Sequence, residues 1–349
     1  MAMLEGTRQL ASVGTITDLR PIPGADAIEV GTVRGWDVVV RKGEFSDGAR
    51  VVYIEPDAAL PIDDERFAFL APRGTKNIDG RTYHVLKTAR LRGQLSQGIV
   101  FDAGLFAKEI AAGGSLDEHL GIVLWEPPAP PLGADQIGPW KLGWLKKTDA
   151  ERVQNLSDEW LASVDDGCWV PTEKIDGSSV TYALDEAGVI HIYSRNWELS
   201  TDNPGATPVQ LAQHYRLSEW MTAHHVDALQ GEMFGEGINA NRLKVKGQRL
   251  GLFAAWRREG GYAVDCFAEL YEYGPAEGLE VAPVIKGLAF PTTVREALEQ
   301  ADKRHSVVDP KVLAEGIVWH HVGDRSFPEL DYRLVFKAVS AGYLLKHGL

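Results

Sequence analysis

The chain has 349 residues, 44% hydrophobic and 24% charged, with a formal net charge of −13, and this length predicts two domains rather than one compact core. No apolar run approaches the ~20 residues that span a bilayer, and no signal pattern opens the chain, so we expect no membrane contact. The presence of only two cysteines excludes a disulfide framework and predicts a reducing, cytoplasmic location. The negative net charge argues against binding nucleic acid by bulk electrostatics, so a nucleic-acid surface would have to be a local basic cluster.

The first 125 residues predict a small all-β barrel. Short apolar segments separated by Pro-Gly, Lys-Gly and Asp-Gly dipeptides predict strands at 12–19, 28–33, 37–40, 50–54, 83–88 and 98–101. Strands at this spacing favour a closed barrel, and the segment 13–26 is similar to the opening of an OB-fold. Two basic clusters, 41–44 and 87–93, would lie on its strands and loops, although each alone is equally typical of a solvated face.

A proline-rich run at 126–131 marks the predicted domain boundary, because it cannot continue a helix or a central strand. We predict a linker over 126–139 and a second domain over 140–349. This domain mixes helices, predicted at 206–225 and 294–302, with strands and shows no βαβ alternation, so we expect an α+β fold with antiparallel sheets. The predicted strands are 168–173, 179–183, 189–194, 229–233, 251–256, 317–321 and 334–337.

Residues 172–179 hold the most informative motif, a lysine two residues before an Asp-Gly turn at the head of a strand-like run. Lys174 in this setting can attack the α-phosphate of a nucleotide and form a phosphoramide. Lys-x-Asp-Gly alone is weak, since average residue usage produces it by chance in roughly one chain in ten of this size. A near match at 76–80 has one residue too many, and we predict a surface turn there.

Further chemically distinctive side chains follow Lys174 in order, each in or at the end of an apolar, strand-like run. They are Arg195, Asn196, Glu232, Phe253, Glu315, Lys337 and Lys346. Carboxylates suit Mg²⁺, arginine suits bidentate phosphate recognition, and an aromatic face suits a nucleobase. Phe253 is almost equally typical of a core aromatic, because it lies within an apolar strand pattern.

This ordered set resembles the covalent nucleotidyltransferase superfamily of ATP-dependent ligases and capping enzymes, and RNA ligases most closely. The matching positions are 174–177, 194–196, 231–232, 253, 315–316 and 337–346. The segment 147–155 is also similar to RNA ligases, and a front OB-like domain is typical of one template-directed subgroup. The resemblance implies an α+β nucleotidyltransferase fold of the ATP-grasp-like DNA/RNA ligase type, preceded by an all-β OB-fold barrel.

The resemblance also implies the roles of the site residues. Lys174 would be the nucleophile, and Lys337 or Lys346 would reach the α-phosphate; the choice stays open because no second lysine follows Lys337 closely. Positive charge from Mg²⁺ or Mn²⁺ and from that second lysine would lower the pKa of Lys174. Glu232 and Glu315 would bind the metal. Asp176 would hold a metal-bound water or shape the turn. Arg195 and Arg152 would contact phosphate, and Glu173 would contact the edge of adenine. Phe253 would stack on adenine, and Asn196 would contact the nucleotide.

The expected function is that of an ATP-dependent RNA ligase. It would join 5′-phosphate and 3′-OH ends through a lysyl-AMP intermediate and an adenylylated 5′ end, at nicks in duplexes with an RNA 3′-OH strand. We expect a monomer that acts on RNA or RNA/DNA duplex ends, with an end-healing enzyme as a conceivable partner. The alternatives are a DNA ligase, a capping-type transferase, or a non-catalytic OB-type nucleic-acid-binding protein.

Overall fold

The structure is a computed structural model that describes residues 9–125, 133–147, 149–323, 330 and 334–349. The proline-rich run at 126–131 lies outside the described residues. The predicted linker over 126–139 differs from the structure at its last four residues, because Gln136–Pro139 forms an edge strand of the largest sheet in the second half. The domain boundaries at 125 and 140 stay predictions.

The first half of the chain is built from short antiparallel strands. In chain order they are β1 (Ala11–Pro21), β2 (Ile28–Val33), β3 (Trp36–Arg41), β4 (Arg50–Ile54), β5 (Ala58–Pro61), β6 (Lys76–Ile78), β7 (Arg81–Val85), β8 (Ala89–Leu91), β9 (Gln94–Ser96), β10 (Ile99–Asp102) and β11 (Val123–Leu124), with helices α1 (Ala107–Ala112) and α2 (Leu116–Leu120). Two sheets, ordered β10-β4-β1-β2-β3 and β11-β5-β7-β6, enclose apolar cores, and β8 and β9 form a separate hairpin. The predicted strands are confirmed, although 83–88 ends early at Val85. The predicted turn at 76–80 is also confirmed, as the tip of the β6–β7 hairpin.

The second half combines strands and helices as predicted. Its strands are β12 (Gln136–Pro139), β13 (Glu151–Arg152), β14 (Trp169–Lys174), β15 (Ser178–Leu184), β16 (Ile190–Ser194), β17 (Trp197–Leu199), β18 (Ala228–Gly235), β19 (Gln248–Glu259), β20 (Tyr262–Asp265), β21 (Gly316–His321) and β22 (Val335–Val339). Its helices are α3 (Asp158–Val164), α4 (Thr207–His214), α5 (Leu217–Ala223), α6 (Phe267–Tyr273), α7 (Val294–Ala301) and α8 (Ala341–His347). One predicted helix is wrong: the segment 206–225 divides into α4 and α5, because Arg216 adopts a left-handed conformation with φ of 47°. Within the described ranges, every helix is too short or too polar to cross a membrane.

Two sheets of the second half meet at the motif around Lys174. The larger sheet has the order β12-β17-β16-β15-β18-β19-β20, and the smaller has the order β13-β22-β21-β14. The chain passes from β14 in the smaller sheet to β15 in the larger one through residues 175–177. A side chain at Gly177 would clash with the carbonyl oxygen of Met233 in β18. Glycine at this position therefore lets the two sheets approach closely enough to form a shared cleft.

A polar network joins the front half of the chain to the second half. Asn155 accepts a hydrogen bond from the indole of Trp36 at 3.0 Å and donates one to Glu55 at 2.9 Å. Beside it, Arg152 pairs with Asp57 at 2.6 Å. Because Trp36 and Glu55 are almost fully buried, this network fixes the first half against the second.

Candidate active site

Lys174 lies at the end of β14 and forms an ion pair with Glu315, with 2.7 Å between Nζ and Oε2. The pairing of β14 with β21 explains the contact, since Lys174 faces Gly316, the residue after Glu315. Both side chains are largely shielded from solvent, with 26% of Lys174 and 13% of Glu315 exposed. A shielded lysine beside a carboxylate is a suitable nucleophile once its proton is removed.

Glu232 brings a second carboxylate into the cleft from β18 of the larger sheet. Burial raises the pKa of Glu232 to about 8; the Lys174 ammonium opposes this rise, whereas Glu315 and Asp176 add to it. Burial likewise raises the pKa of Glu315. Burial alone would lower the pKa of Lys174, but Glu315 and Glu232 outweigh it and the net shift is upward. The protein alone therefore holds Lys174 as an ammonium and favours the neutral form of Glu232 until a cation arrives.

Asp176 is held by Arg242, which the sequence motifs did not include, and by Tyr343, which lies within the matched stretch 337–346. Its carboxylate accepts hydrogen bonds from Arg242 and from the hydroxyl of Tyr343, each at 2.8 Å. The amide of Asn239 also donates to the carbonyl of Gly177. These contacts fix the loop after Lys174, so Asp176 shapes the turn, which is one of its two expected roles.

Lys337 lies in the cleft, and Lys346 does not. Lys337 is 12% exposed and donates to Asp149 at 2.7 Å, and its charge acts on Glu315. Arg195 lies 3.8 Å from the other oxygen of Asp149. Lys346 is exposed on the last turn of α8. This geometry favours Lys337 for the contact with the α-phosphate, and that role stays a prediction.

Phe253 and Asn196 lie on the larger sheet. Phe253 sits in β19 where the pairing with β18 shifts register between Gln230 and Gly231, and such a bulge turns a side chain away from its regular direction. The half-buried Phe253 ring packs against the apolar cluster that contains Ile175, the residue after Lys174. Asn196 accepts a hydrogen bond from Lys147 at 2.7 Å. Phe253 thus places an aromatic ring near the nucleophile, whereas Asn196 lies between β16 and β17 and its expected nucleotide contact stays a prediction.

Comparison with known proteins identifies the family. An RNA ligase family model matches residues 167–339 and an OB-fold domain model matches residues 10–103. A solved structure of Naegleria gruberi RNA ligase with pyrophosphate is 32% identical, with a TM-score of 0.84, over 98% of this chain and 99% of that chain. The chain belongs to the RNA ligase family.

Other solved structures support the same assignment. A mutant of Naegleria gruberi RNA ligase with ATP and Mn is 32% identical, with a TM-score of 0.83, over 97% of this chain and 99% of that chain. A mutant with AMP and Mn is also 32% identical, with a TM-score of 0.84, over 98% and 99% of the two chains. No curated protein sequence matches this chain. The family confirms the expected nucleotidyltransferase fold with an OB-fold in front.

Both carboxylate oxygens of Glu173 are engaged by the loop after α7, by the hydroxyl of Ser306 at 2.5 Å and the backbone N–H of Val307 at 2.6 Å. Successive strand residues point to opposite faces, so Glu173 is directed away from the face of Lys174. The expected contact of this carboxylate with adenine stays a prediction.

The guanidinium of Arg152 pairs with Asp57 at 2.6 Å and lies over the ring of Trp36, 5.5 Å from the ring centroid. Both partners belong to the OB-fold half, so Arg152 lies at the interface between the halves, and its expected phosphate contact stays a prediction. Its neighbour in the parallel β13–β22 pair is Lys337, which puts this interface directly beside the cleft.

Sequence reasoning assigned no role to Asp149, Arg242 or Tyr343. Asp149 lies within the segment 147–155 and Tyr343 within the stretch 337–346, both of which carried part of the resemblance, so both were findable. Arg242 had no local signal, because it reaches Asp176 from a loop 66 residues away.

The acids of the cleft do not converge on one point. Among the described residues, the one group of three potential metal ligands with all ligand atoms within 4.8 Å of one another is Asp166, Cys168 and His321. This group lies near the opposite end of β14 from Lys174. The metal-binding roles of Glu232 and Glu315 stay predictions, and Asp176 is the acid already held by Arg242 and Tyr343.

Proposed function

We propose that this ATP-dependent RNA ligase works through a covalent lysyl-AMP on Lys174 and seals nicks in duplexes that present an RNA 3′-OH. The observation that carries the proposal is the cleft itself: a shielded lysine amine lies between carboxylates from two different sheets, Glu315 and Glu232, with Lys337 close by. Solved relatives contain ATP, AMP or pyrophosphate, which are the substrate, the transferred group and the leaving group of such a step.

The residues present fit a divalent ion. Glu232 and Glu315 offer hard oxygen ligands, and burial disfavours their charge until a cation arrives. Mg²⁺ binds through one or two carboxylates together with substrate phosphates and water, which suits acids that do not converge on one point. When bound, Mg²⁺ or Mn²⁺ would supply positive charge to these carboxylates and to the phosphates of ATP.

In the first transfer, which moves AMP from ATP to Lys174, each residue of the cleft would have a separate role. Glu315, 2.7 Å from Nζ, is placed to take the proton that Lys174 must lose. The Nζ lone pair then forms a bond to the α-phosphorus, the bond to the bridging oxygen breaks, and pyrophosphate leaves. Lys337 and Arg195 would offset the negative charge on the phosphate oxygens, and Phe253 would stack on adenine.

Two further transfers complete the reaction. An oxygen of the RNA 5′-phosphate attacks the AMP phosphorus, and breaking the P–N bond frees Lys174. The RNA 3′-OH then attacks the 5′-phosphorus, loses its proton, and releases AMP as the phosphodiester forms. We propose that the chain acts as a monomer in which the OB-fold half holds the duplex, and that an end-healing enzyme prepares its substrates.

Labelling with α-labelled ATP and a divalent ion tests the first transfer. Wild-type protein should retain label, and Lys174→Ala should retain none. Lys76→Ala is the matched control, because Lys76 belongs to the near match at 76–80 on the OB-fold half and should label normally. A Lys174→Ala protein that still takes up label would refute the lysyl-AMP proposal.

The choice of nucleotide and of nicked substrate tests the proposed specificity for ATP and for an RNA 3′-OH. Label from GTP instead of ATP would indicate a capping-type transferase. Sealing of a nick whose 3′-OH strand is DNA as readily as one whose strand is RNA would indicate a DNA ligase. Salt-sensitive RNA binding without any label would indicate a non-catalytic binding protein.

A further inference from the structure

Two acid-free segments of the chain lie against each other beside the cleft. The first, residues 84–98, contains Lys87, Arg90 and Arg92, and the second, residues 334–349, contains lysines and a histidine. Neither segment has an Asp or Glu, although acidic residues outnumber basic ones by 49 to 36 in the whole chain. In so acidic a protein, the joining of two such segments creates a local positive surface.

A hydrogen bond joins the two segments. The ammonium of Lys87 donates to the backbone carbonyl of Gly348 at 2.6 Å. Gly348 directly follows α8, and Tyr343 in α8 donates to Asp176 at 2.8 Å, two residues after Lys174. The segment just before the β8–β9 hairpin is therefore linked through α8 to the loop that follows the nucleophile.

The cations of this surface are available to a ligand. Arg92 and Gly93 form the tight tip of the hairpin, with φ of 49° and 85°, and the side chains of Arg90 and Arg92 are exposed. Lys346 is exposed on the last turn of α8. In the described part of the chain, no carboxylate lies within ion-pair distance of Arg90, Arg92 or Lys346, so their charges are not neutralised internally.

The other basic cluster of the OB-fold half is different. Arg41 and Lys42 are exposed as well, but acids surround them: Glu44 accepts from the backbone N–H of Arg41 at 3.1 Å, and Glu29 accepts from the backbone N–H of Gly43 at 2.8 Å. The hairpin, rather than the cluster at 41–44, is therefore the acid-free cluster of the OB-fold half, and α8 links it to the cleft.

We propose that the tip of the β8–β9 hairpin and the end of α8 form one binding surface for the phosphate backbone of the RNA duplex beside the break. This rests on the proposed function, and it assigns Lys346 to RNA rather than to the nucleotide. Arginine suits this role because its planar fork matches two phosphate oxygens. Contact with the surface would hold the duplex so that its broken end reaches the loop at Lys174.

Fluorescence anisotropy with a nicked RNA duplex carrying a 5′-phosphate at the nick tests the surface. Each phosphate contact contributes about one unit to the slope of log affinity against log salt concentration. We expect Arg90→Ala/Arg92→Ala to weaken binding about tenfold at moderate salt and to reduce that slope by about two. We expect Lys346→Ala to reduce the slope by about one. The matched control, Arg41→Ala/Lys42→Ala, should bind within about twofold of wild type.

Labelling with ATP in the same preparations separates this surface from the proposed function. Normal binding and an unchanged salt slope in Arg90→Ala/Arg92→Ala would overturn the surface while leaving the lysyl-AMP proposal intact. An equal loss in the Arg41→Ala/Lys42→Ala control would overturn it too, because binding would then follow overall charge. Failure of wild type to take up label would instead refute the proposed function, and the anisotropy would still decide the surface.

Discussion

The Lys174 cleft and the interface between the two halves both shield charged groups from water, but they balance the charge differently. In the cleft, burial raises the pKa of the carboxyls of Glu232 and Glu315, and both groups raise the pKa of Lys174. At the interface, Asp57 pairs with Arg152, and Glu55 accepts a hydrogen bond from Asn155. The buried acids of the cleft therefore favour their neutral forms until a cation arrives, whereas each of these interface acids has a partner.

This difference indicates what each region is for. Uncompensated buried charge costs stability, and proteins retain it where a ligand will later supply the missing partner. Satisfied polar networks instead fix one arrangement of the parts around them. We therefore expect substitutions in the cleft to affect activity more than stability, and substitutions at the interface to affect stability first.

The largest expected effect is that of Glu232→Gln. Labelling with ATP should fall by at least about a hundredfold, equivalent to about 2.7 kcal/mol, because the cleft loses a metal-binding carboxylate. The melting temperature should stay the same or rise, since the variant no longer buries an unbalanced carboxylate. Labelling and calorimetry on the same protein check both halves of this prediction, and a large fall in melting temperature would remove the contrast between the two regions.

The same variant gives a pH test. Since the pKa of Glu232 is raised to about 8 in the folded protein from a usual value of about 4.3, the folded state binds more protons between these values. The contribution of Glu232 to stability therefore falls as pH rises through this window. In chelator, the melting temperature of wild type should fall relative to that of Glu232→Gln from about pH 5 to pH 8. Parallel curves would contradict the raised pKa.

At the interface, Asp57→Ala should lower the free energy of unfolding by about 1–3 kcal/mol, because it leaves the nearly buried guanidinium of Arg152 without its acid. A double-mutant cycle with Arg152→Ala, measured by urea denaturation, should give a coupling energy of at least about 0.5 kcal/mol. Fully additive effects would show that the pair does not join the two halves.

A smaller effect is expected for Tyr343→Phe, which removes one of the two hydrogen bonds to Asp176. A hydrogen bond to a charged group contributes about 1.5–3 kcal/mol, and the remaining partner, Arg242, should hold the loop in part. Labelling should therefore fall about tenfold, with the melting temperature nearly unchanged. A matched control is Tyr273→Phe, since Tyr273 is exposed and lies away from the cleft on α6.

The smallest effect should come from Phe253→Leu, which keeps an apolar side chain and removes the flat ring. If Phe253 stacks on adenine, the ATP concentration for half-maximal labelling should rise by roughly 3–10-fold, because aromatic contacts contribute about 0.5–1.5 kcal/mol beyond burial. Unchanged ATP dependence with a lower melting temperature would show that Phe253 is a core aromatic.

Strand periodicity and motif order were sufficient to predict much of this molecule. Lys174, Glu232 and Glu315 each lie in or beside a strand. An apolar run with a polar group at its end was therefore enough to predict both the strand and the side chain that faces the cleft. The alternation of side chains along β14 also predicts that Glu173 and Lys174, as neighbours, point to opposite faces.

Long-range pairing could not be predicted in the same way. Arg152 lies in the segment that resembles RNA ligases, yet its partner is Asp57, 95 residues earlier in the chain, and no local pattern encodes a contact between domains. The break between α4 and α5 falls at Arg216, without a glycine or proline to mark it. The choice between Lys337 and Lys346 required knowing that β22 lies inside a sheet and that α8 ends at the surface.

Residues 175–177 form the shortest connection between the two layers that carry the cleft, with Lys174 and Glu315 at the smaller sheet and Glu232 and Phe253 in the larger one. A ligand that contacts both layers would hold them together across this short connection. Nucleotide should then slow hydrogen–deuterium exchange in residues 175–177 and in β14 and β15, and exchange should rise again when the nucleotide leaves.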